Sequence, residues 1–318
     1  MINNKLNIIV GKDGRPSMKG TYSKMINNAD LLVRRRLMNH QKDLILADYW
    51  RKYSNKNVNS FEKLQPNISF SNEILIRWGN RIELNLNNCI TYNKCENIEK
   101  ATNKLNSRLL FLKNSVNCPK LIFSTDEVNE QDYPIIARPF VHSKGRNFII
   151  LKTKQELVSH FNKEKYYYSA FVDKVKEYRL HVGHNRILNY LEKPAPEDKT
   201  QIAWNRSVNG EAFTNIKWSD YNKNVCIEAI KAISALGLDF GGVDVLLDKD
   251  GKAYVLEVNT SPTLVSSEYS MERYAKYFDW LCKTTKRREH WEFKEFKKAS
   301  NYAWHTYHFE DREPNKEV

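Results

Sequence analysis

The sequence predicts an α/β protein built from several compact units, and three observations carry that reading. Short apolar runs alternate with segments of helical period, as expected where helices cover sheets. Two β-rich segments flank a turn at Asp248 to Lys252, where Asp250-Gly251 favours a hairpin. A length of 318 residues allows a core that needs neither disulfides nor a structural metal.

Residues 6 to 10 (LNIIV) read as the first strand. A basic segment from Tyr22 to Tyr53, with Arg34, Arg35 and Arg36, carries Leu31, Leu32, Leu37, Leu44, Ile45 and Ala47 and reads as helices with one buried face. Ser54 to Ser60 is polar and reads as a loop, and Ile74 to Trp78 as a strand closed by Gly79-Asn80. These elements make a small α/β domain over residues 1–97. A helix is expected over residues 98 to 114, ended by the loop with Cys118-Pro119. Strands follow at Leu121 to Phe123, Pro134 to Arg138 and Phe148 to Leu151, with a polar loop from Pro139 to Asn147. A helix from Thr153 to Phe161, capped by Thr153, precedes strands at Tyr166 to Val172, Glu177 to Gly183 and Arg186 to Leu191. Pro194 to Glu211 reads as strand mixed with loop. Tyr221 to Leu236 reads as a helix with Ser219 or Asp220 at its cap and Gly237 at its end. Beyond the hairpin, Ser267 to Cys282 reads as helical, and the charged, aromatic tail from Lys283 to Val318 as one more helix.

Composition narrows the function classes. Hydrophobic residues are 41% and charged residues 28%, which excludes a disordered tail. No apolar run approaches the roughly 18 residues of a membrane span, so no membrane partner is expected. Met1 to Val10 is too short an apolar stretch for a secretory signal. The five cysteines, Cys89, Cys95, Cys118, Cys226 and Cys282, are scattered without a CxxC pair and read as reduced, which suits a cytoplasmic location. Lysine and arginine number 51 against 38 acids, a net charge of +13. Frequent Asn and Lys suggest compositional drift, so a nucleic-acid partner is permitted by the charge but not required.

The hairpin carries the chemistry. Residues 239 to 259 read DFGGVDVLLDKDGKAYVLEVN. With a turn centred on Asp250-Gly251, Asp244 lies opposite Glu257 and Gly242 opposite Asn259. Alternation then puts Asp244, Glu257 and Asn259 on one face, with Val243, Val245, Leu247, Leu256 and Val258 on a core face. Carboxylates paired across a ladder repel unless a cation lies between them. Two carboxylates and an amide oxygen are a hard ligand set suited to magnesium, which takes substrate phosphates as further ligands. The plainer alternative is two exposed acids balanced by Lys249 and Lys252. A three-residue loop would shift the register by one and remove the pairing.

Gly241 to Leu264 (GGVDVLLDKDGKAYVLEVNTSPTL) closely resembles the metal-binding end of the ATP-grasp ligases, in particular the carboxylate–amine ligases of the glutamate-ligase and D-alanine–D-alanine-ligase type. The resemblance implies an ATP-grasp fold of two α/β subdomains clamping ATP, over residues 98–172 and 173–282, between the N-terminal domain and a helical tail at 283–318. It implies that Asp244, Glu257 and Asn259 bind Mg2+, with Glu257 bridging two ions and Mn2+ as a substitute, and that Thr260 and Ser261 begin a loop near phosphate or substrate. Asn103-Lys104-Leu105 resembles the family's first nucleotide-binding lysine region. Tyr133 to Leu151 resembles the strand, lid and strand over ATP, with Arg138 where most members have lysine and with His142, Ser143, Lys144 and Gly145 in the lid. Tyr166 to Leu188 resembles the hinge between subdomains, where the backbone near Phe171 and Val172 meets adenine and Glu177 and Arg179 stand for the family's acid and base. The RWG at Arg77 to Gly79 is a weaker cue in the preceding domain.

The implied activity is ATP-dependent amide formation through an acylphosphate, from the carboxylate of a small molecule, peptide or protein terminus and an amine. Some relatives carry an arginine two residues before the metal-binding Asp, where this chain has Gly242. Lys193, Arg206 and Arg179 are the candidates to replace it, Arg206 within the substrate-side segment AWNRSVNGE beside Asn205. His181 and His184 have no metal spacing and read as structural or surface residues. Two competing classes are a phosphotransferase of the same fold and a non-catalytic nucleic-acid-binding protein. An oligomer is compatible with the family.

Overall fold

The computed structural model describes the backbone of residues 6–10, 31–34, 61–63 and 69–70, then 71–140 except 73, 82 and 83, then 148–196 and 213–262, and of 273–274, 277–278 and 281. It is a mixed α/β structure. The first unit has strands β1 (Leu6–Val10), β2 (Leu31–Arg34), β3 (Phe61–Lys63), β4 (Ser69–Ser71), β5 (Ile74–Trp78), β6 (Asn85–Asn87) and β7 (Ile90–Tyr92). Five of them form a parallel sheet ordered β3-β2-β1-β5-β7, and β4 pairs with β6. All of β5 is buried, as suits a continuous apolar run flanked by parallel neighbours. Leu31–Arg34 is therefore a strand, not the helix expected from its leucines. A short apolar run inside a parallel sheet has no alternation to separate it from a helix face. The other residues of Tyr22 to Tyr53 and the loop at Ser54 to Ser60 lie outside the described residues.

The expected helix over residues 98 to 114 is two helices, α1 (Cys95–Thr102) and α2 (Lys104–Lys113). Asn103 breaks them: it is extended and its side chain accepts the Asn106 N–H at 3.0 Å, so it caps α2 and puts Lys104 in its first turn. Next come β8 (Leu121–Ile122), β9 (Ile135–Pro139), β10 (Ile149–Leu151), α3 (Lys154–His160) and β11 (Tyr166–Ala170). The strands form an antiparallel sheet ordered β10-β9-β11-β8. Thr153 caps α3 as expected, accepting from the Glu156 N–H at 3.2 Å. One face of this sheet packs Ile122, Ile135, Ala137, Leu151 and Tyr168 against Leu157 of α3. Its other face presents Ile136, Arg138, Tyr167 and Ser169, with Tyr167 paired to Arg138 and Ser169 to Ile136.

The largest sheet is ordered β14-β13-β12-β15-β16. Its members are β12 (Lys174–Gly183), β13 (Arg186–Lys193), β14 (Thr214–Asn215), β15 (Phe240–Asp248) and β16 (Ala253–Asn259). Tyr178, Leu180, Val182, Val243 and Val245 alternate into a core covered by α4 (Lys223–Ala235), whose Val225, Ala229, Ala232 and Ile233 recur at helical spacing. Asn222 is the α4 cap, not Ser219 or Asp220; its side chain accepts the Asn224 and Val225 N–H groups at 3.0 and 3.3 Å. Gly237 ends the helix at a φ of +68°.

The first unit is tied to this sheet. Asn93 is buried; its backbone N–H donates to Asp239 Oδ2 at 2.5 Å, and its side chain donates to the Phe240 carbonyl at 3.0 Å while accepting the Asp239 N–H at 2.8 Å. Trp78 stacks on Phe240 at 5.6 Å and meets Tyr274 edge-on at 5.1 Å. The described helical residues Tyr274, Tyr277, Phe278 and Leu281 are buried there, as the expected helical segment requires. The tail at 283–318 lies outside the described residues.

Candidate active site

The hairpin that bears the acids reaches its register by a different route from the one expected. Asp248 N–H donates to the Lys252 carbonyl and Gly251 N–H to the Asp248 carbonyl, both at 3.1 Å, and Gly251 has a φ of +77°. The loop is therefore the three residues Lys249, Asp250 and Gly251, and Leu247 pairs with Ala253. Continued unchanged, that register would set Leu256 opposite Asp244 and turn Glu257 toward the apolar face. A β-bulge between Asp244 and Val245 takes up the extra residue, so Asp244 faces Glu257 and Gly242 faces Asn259. In consequence Leu256 leaves the core position expected for it and Val255 takes a core place, while Val258 lies in the core as expected.

Asp244 is 4% exposed, which excludes the reading of two solvated acids near a turn. Arg179 grips it with two bonds, Nε to Oδ1 at 2.7 Å and Nη2 to Oδ2 at 2.8 Å. Lys193 Nζ adds a bond to Oδ2 at 3.0 Å. Burial pushes the Asp244 carboxyl upward, but Arg179 and Lys193 outweigh it and hold the group well below the usual carboxylate range. Across the ladder, Lys104 Nζ lies 2.5 Å from Glu257 Oε2, and Asn259 Nδ2 donates to Glu257 Oε1 at 3.3 Å. Burial and the Asp244 charge push Glu257 up, while Lys104 and Arg179 bring it below its ordinary value. The counter-charges are thus Lys104, Arg179 and Lys193. Lys252, expected in the plainer alternative, lies over the Tyr254 ring.

Glu177 and Arg179 share the cleft face of β12 but are not each other's partner. Glu177 bonds to Lys174 and Lys193, and Arg179 to Asp244. Burial lowers the Lys174 ammonium, with Lys193 and Arg138 adding to the effect and Glu177 opposing it. Arg138, from β9, donates through Nη1 to Ser169 Oγ at 2.9 Å. Burial, with the nearby Arg108 charge, brings Arg138 down to about 10, while Glu257 opposes this. Arg108 stands over the Tyr167 ring of one sheet and donates to the Leu256 carbonyl of the other, so the face with Arg138 and Tyr167 lies toward the sheet that bears the acids. Lys174, Ser169 and Arg108 belong to this network and were not expected from the sequence. Only Arg108 left a signal: it stands four residues after Lys104, on the same helix face.

Other expected residues fall as follows. Phe171 and Val172 follow β11 and are half-buried, and the Phe171 N–H donates to the Pro134 carbonyl at 2.9 Å. His142, Ser143, Lys144, Gly145, Asn205 and Arg206 lie outside the described residues. His181 and His184 are buried, and their Nδ1 atoms meet the hydroxyls of Tyr274 at 3.2 Å and Tyr277 at 2.5 Å. Burial holds the His181 imidazole down at about 3, with the Arg179 charge adding to the effect. Cys118 and Cys226 are buried and Cys89 and Cys95 half-buried, and none of these four forms a disulfide.

The donor chemistry fits a hard divalent cation. Among the described residues no three His, Cys, Asp or Glu side chains gather in metal-holding geometry, so two carboxylates and an amide need oxygens from a ligand to complete a shell. An ionised carboxylate has roughly four lone-pair sites. Three of those on Asp244 accept bonds, which leaves one on Oδ1. Glu257 accepts from Lys104 and Asn259, and the Asn259 amide oxygen adds a further hard donor beside it.

Two antiparallel sheets facing one another across a cleft lined by cations and paired acids define an ATP-grasp fold. The chain belongs to the RimK-like ATP-grasp family, whose domain matches residues 101–276. Among its relatives, a protein named "Probable alpha-L-glutamate ligase" from Parasynechococcus marenigrum is 25% identical over 196 residues, 55% of this chain and 39% of that one. A protein of the same name from Vibrio vulnificus is 23% identical over 190 residues, 55% of this chain and 61% of that one. The matched region thus spans less than two thirds of these relatives. Among solved structures, N5-carboxyaminoimidazole synthetase from Staphylococcus aureus, complexed with ADP, has a TM-score of 0.55 at 13% identity, over 84% of this chain and 73% of that one. The ATP-grasp ligase PsnB, complexed with a minimal precursor, Mg and ADP, has a TM-score of 0.54 at 11% identity, over 89% of this chain and 100% of that one. These two likenesses are of fold. Among the described residues, no helix is long and apolar enough to cross a membrane.

Proposed function

We propose that this chain is an ATP- and Mg2+-dependent carboxylate–amine ligase. The observation that carries the reading is the charge of the cleft. Lys104, Arg138, Lys174, Arg179 and Lys193 stand there against Glu177, Asp244 and Glu257. Five cations against three acids leave the cleft net positive, which favours an anionic triphosphate. Relatives named for glutamate ligation and neighbours complexed with ADP support the same reading.

In this reading Asp244, Glu257 and Asn259 would hold Mg2+, with Glu257 available to two ions and Mn2+ as a substitute. When bound, the metal neutralises charge on the phosphates. Lys104 and Arg138 grip phosphate oxygens, with His142, Ser143, Lys144 and Gly145 as the lid, and the backbone at Phe171 and Val172 receives adenine. A substrate carboxylate oxygen bonds to the γ-phosphorus as the bond to ADP breaks, giving an acylphosphate. An amine nitrogen then bonds to the carbonyl carbon, loses a proton, and phosphate leaves with the C–O bond electrons. Arg179 and Lys193, already fixed by Asp244, and Arg206 stabilise the oxyanion formed on the way. Glu177 keeps Lys174 and Lys193 in place. The carboxylate is that of an amino acid, peptide or protein terminus.

The test is incubation with ATP, Mg2+ and amino-acid or peptide mixtures, followed by mass spectrometry. ADP, phosphate and a new amide mass are expected. ADP with a phosphorylated product would replace the ligase with a phosphotransferase, and salt-sensitive nucleic-acid binding without turnover would remove the enzymatic reading.

A further inference from the structure

The bulge that brings Glu257 to Asp244 needs support, because the extra residue of a bulge is unpaired in the ladder. At Leu256 that support comes from outside the sheet: Arg108 Nη2 donates to the Leu256 carbonyl at 3.3 Å. Arg108 is 2% exposed, and its Nε and Nη1 have no hydrogen-bond partner. Its guanidinium carbon stands 5.9 Å from the centre of the Tyr167 ring. Burying a guanidinium with most of its donors unmatched is costly, and an apolar side chain would fill the same helix position without that cost. Lys104, one turn earlier on α2, reaches Glu257 Oε2 at 2.5 Å. One face of α2 therefore holds two successive residues of β16, the bulged one by its carbonyl and the next by its carboxylate.

We propose that Arg108 is a positioning residue for Glu257: it holds the bulge carbonyl and thereby keeps the Glu257 carboxylate in the cleft, where a metal–triphosphate is bound. The inference rests on the ligase reading for its ligand, and on the bulge alone for its geometry. The competing register, in which Leu256 faces the cleft and Glu257 the apolar face, is what the contact works against. Core burial of Val258 works in the same direction, so Arg108 tunes the placement and is not the sole determinant of the fold.

Arg108→Met and Arg108→Lys test this. Binding of Mn2+ in the presence of a nonhydrolysable ATP analogue is followed by electron paramagnetic resonance, ADP binding without metal by calorimetry, and exchange of the Glu257 amide by deuterium labelling. Arg108→Met should weaken Mn2+ binding about tenfold, the scale of a lost outer-shell partner, and speed exchange at Glu257, with metal-free ADP affinity unchanged. Arg108→Lys, which keeps a donor for the carbonyl, should restore most of both. Unchanged Mn2+ binding and exchange in Arg108→Met would overturn the proposal. A parallel loss of metal-free ADP affinity would also overturn it, by making Arg108 a phosphate contact. If Arg108→Met does not fold, Arg108→Lys decides: near-normal Mn2+ binding and exchange support the role, and lost Mn2+ binding with unchanged exchange refutes it. Absence of Mn2+–nucleotide binding in the unaltered protein would instead sink the ligase reading, with amide exchange still testing the positioning role.

Discussion

Val255 and Val258 lie three residues apart on one strand, yet both are buried in the same core. Strict alternation would put them on opposite faces. The bulge at Leu256 reconciles the two, and it also sends Glu257 and Asn259 to the cleft beside Asp244. The acid pair is thus held by apolar packing on the far side of the sheet as well as by the cations around it.

Glu257→Gln keeps the size of the side chain and removes its charge, so Lys104 loses an ion pair at 27% side-chain exposure of the glutamate. Turnover is expected to fall by at least about 100-fold through loss of a metal ligand. Circular dichroism should show an unchanged fold. ADP release at the rate of the unaltered protein would contradict the metal role.

Asp244→Asn leaves Arg179 and Lys193 buried without their shared counter-charge. Breaking a buried pair in this way costs about 3–5 kcal/mol, to be read by urea denaturation at neutral pH. The Asp244 carboxyl is depressed in the folded state, so its contribution is complete above the unfolded value and disappears as pH falls through the folded one. The stability gap between the unaltered protein and Asp244→Asn should stay level from about pH 8 to about pH 5 and shrink below about pH 4. A gap that widens in acid would reverse the assigned sign.

Arg138→Lys keeps the positive charge on β9 and gives up the bond to Ser169. That bond has a charged donor and contributes about 1.5–3 kcal/mol to stability, whereas lysine keeps the positive charge, so calorimetry should show most of the nucleotide affinity retained. Complete loss of binding would show that the guanidinium fork is needed for the phosphates.

Gly79 sits at a φ of +68°, and a Cβ there would lie 2.6 Å from the Ser261 Cβ. The end of β5 thus abuts the loop that follows Asn259. Gly79→Ala should cost at least about 1–2 kcal/mol from the backbone conformation alone, plus the clash. Adding Ser261→Gly should recover the steric part but not the rest. Strictly additive losses in denaturation experiments would exclude the contact.

Much of the fold was legible because it depends on short-range signals. The Thr153 cap and the glycine after α4 each report a local backbone preference. Three features were not legible for a common reason. Leu31–Arg34 is a strand because it lies between β1 and β3, α2 starts at Lys104 because Asn103 caps it, and the α4 cap is Asn222 because the chain turns there. Each rests on a choice between local options that have similar propensity. Of the site, Asp244, Glu257, Asn259, Lys104 and Arg138 were legible as residue types at set spacings. Lys174 and Ser169 were not, since nothing in their local sequence marks them, and Arg108 left only its spacing of four from Lys104 on α2.

The amino-acid order alone pointed to the acid pair, because twelve residues between an acid on one strand and an acid on the next place the two near one another around a turn. Which cation meets which acid was decided only in three dimensions. A three-residue loop and a one-residue bulge cancel in register, and no local pattern distinguishes that outcome from a plain hairpin. The cancellation is enforced by long-range terms: burial of Val255 and Val258 under α4, and the hold of Lys104 and Arg108 on the neighbouring strand.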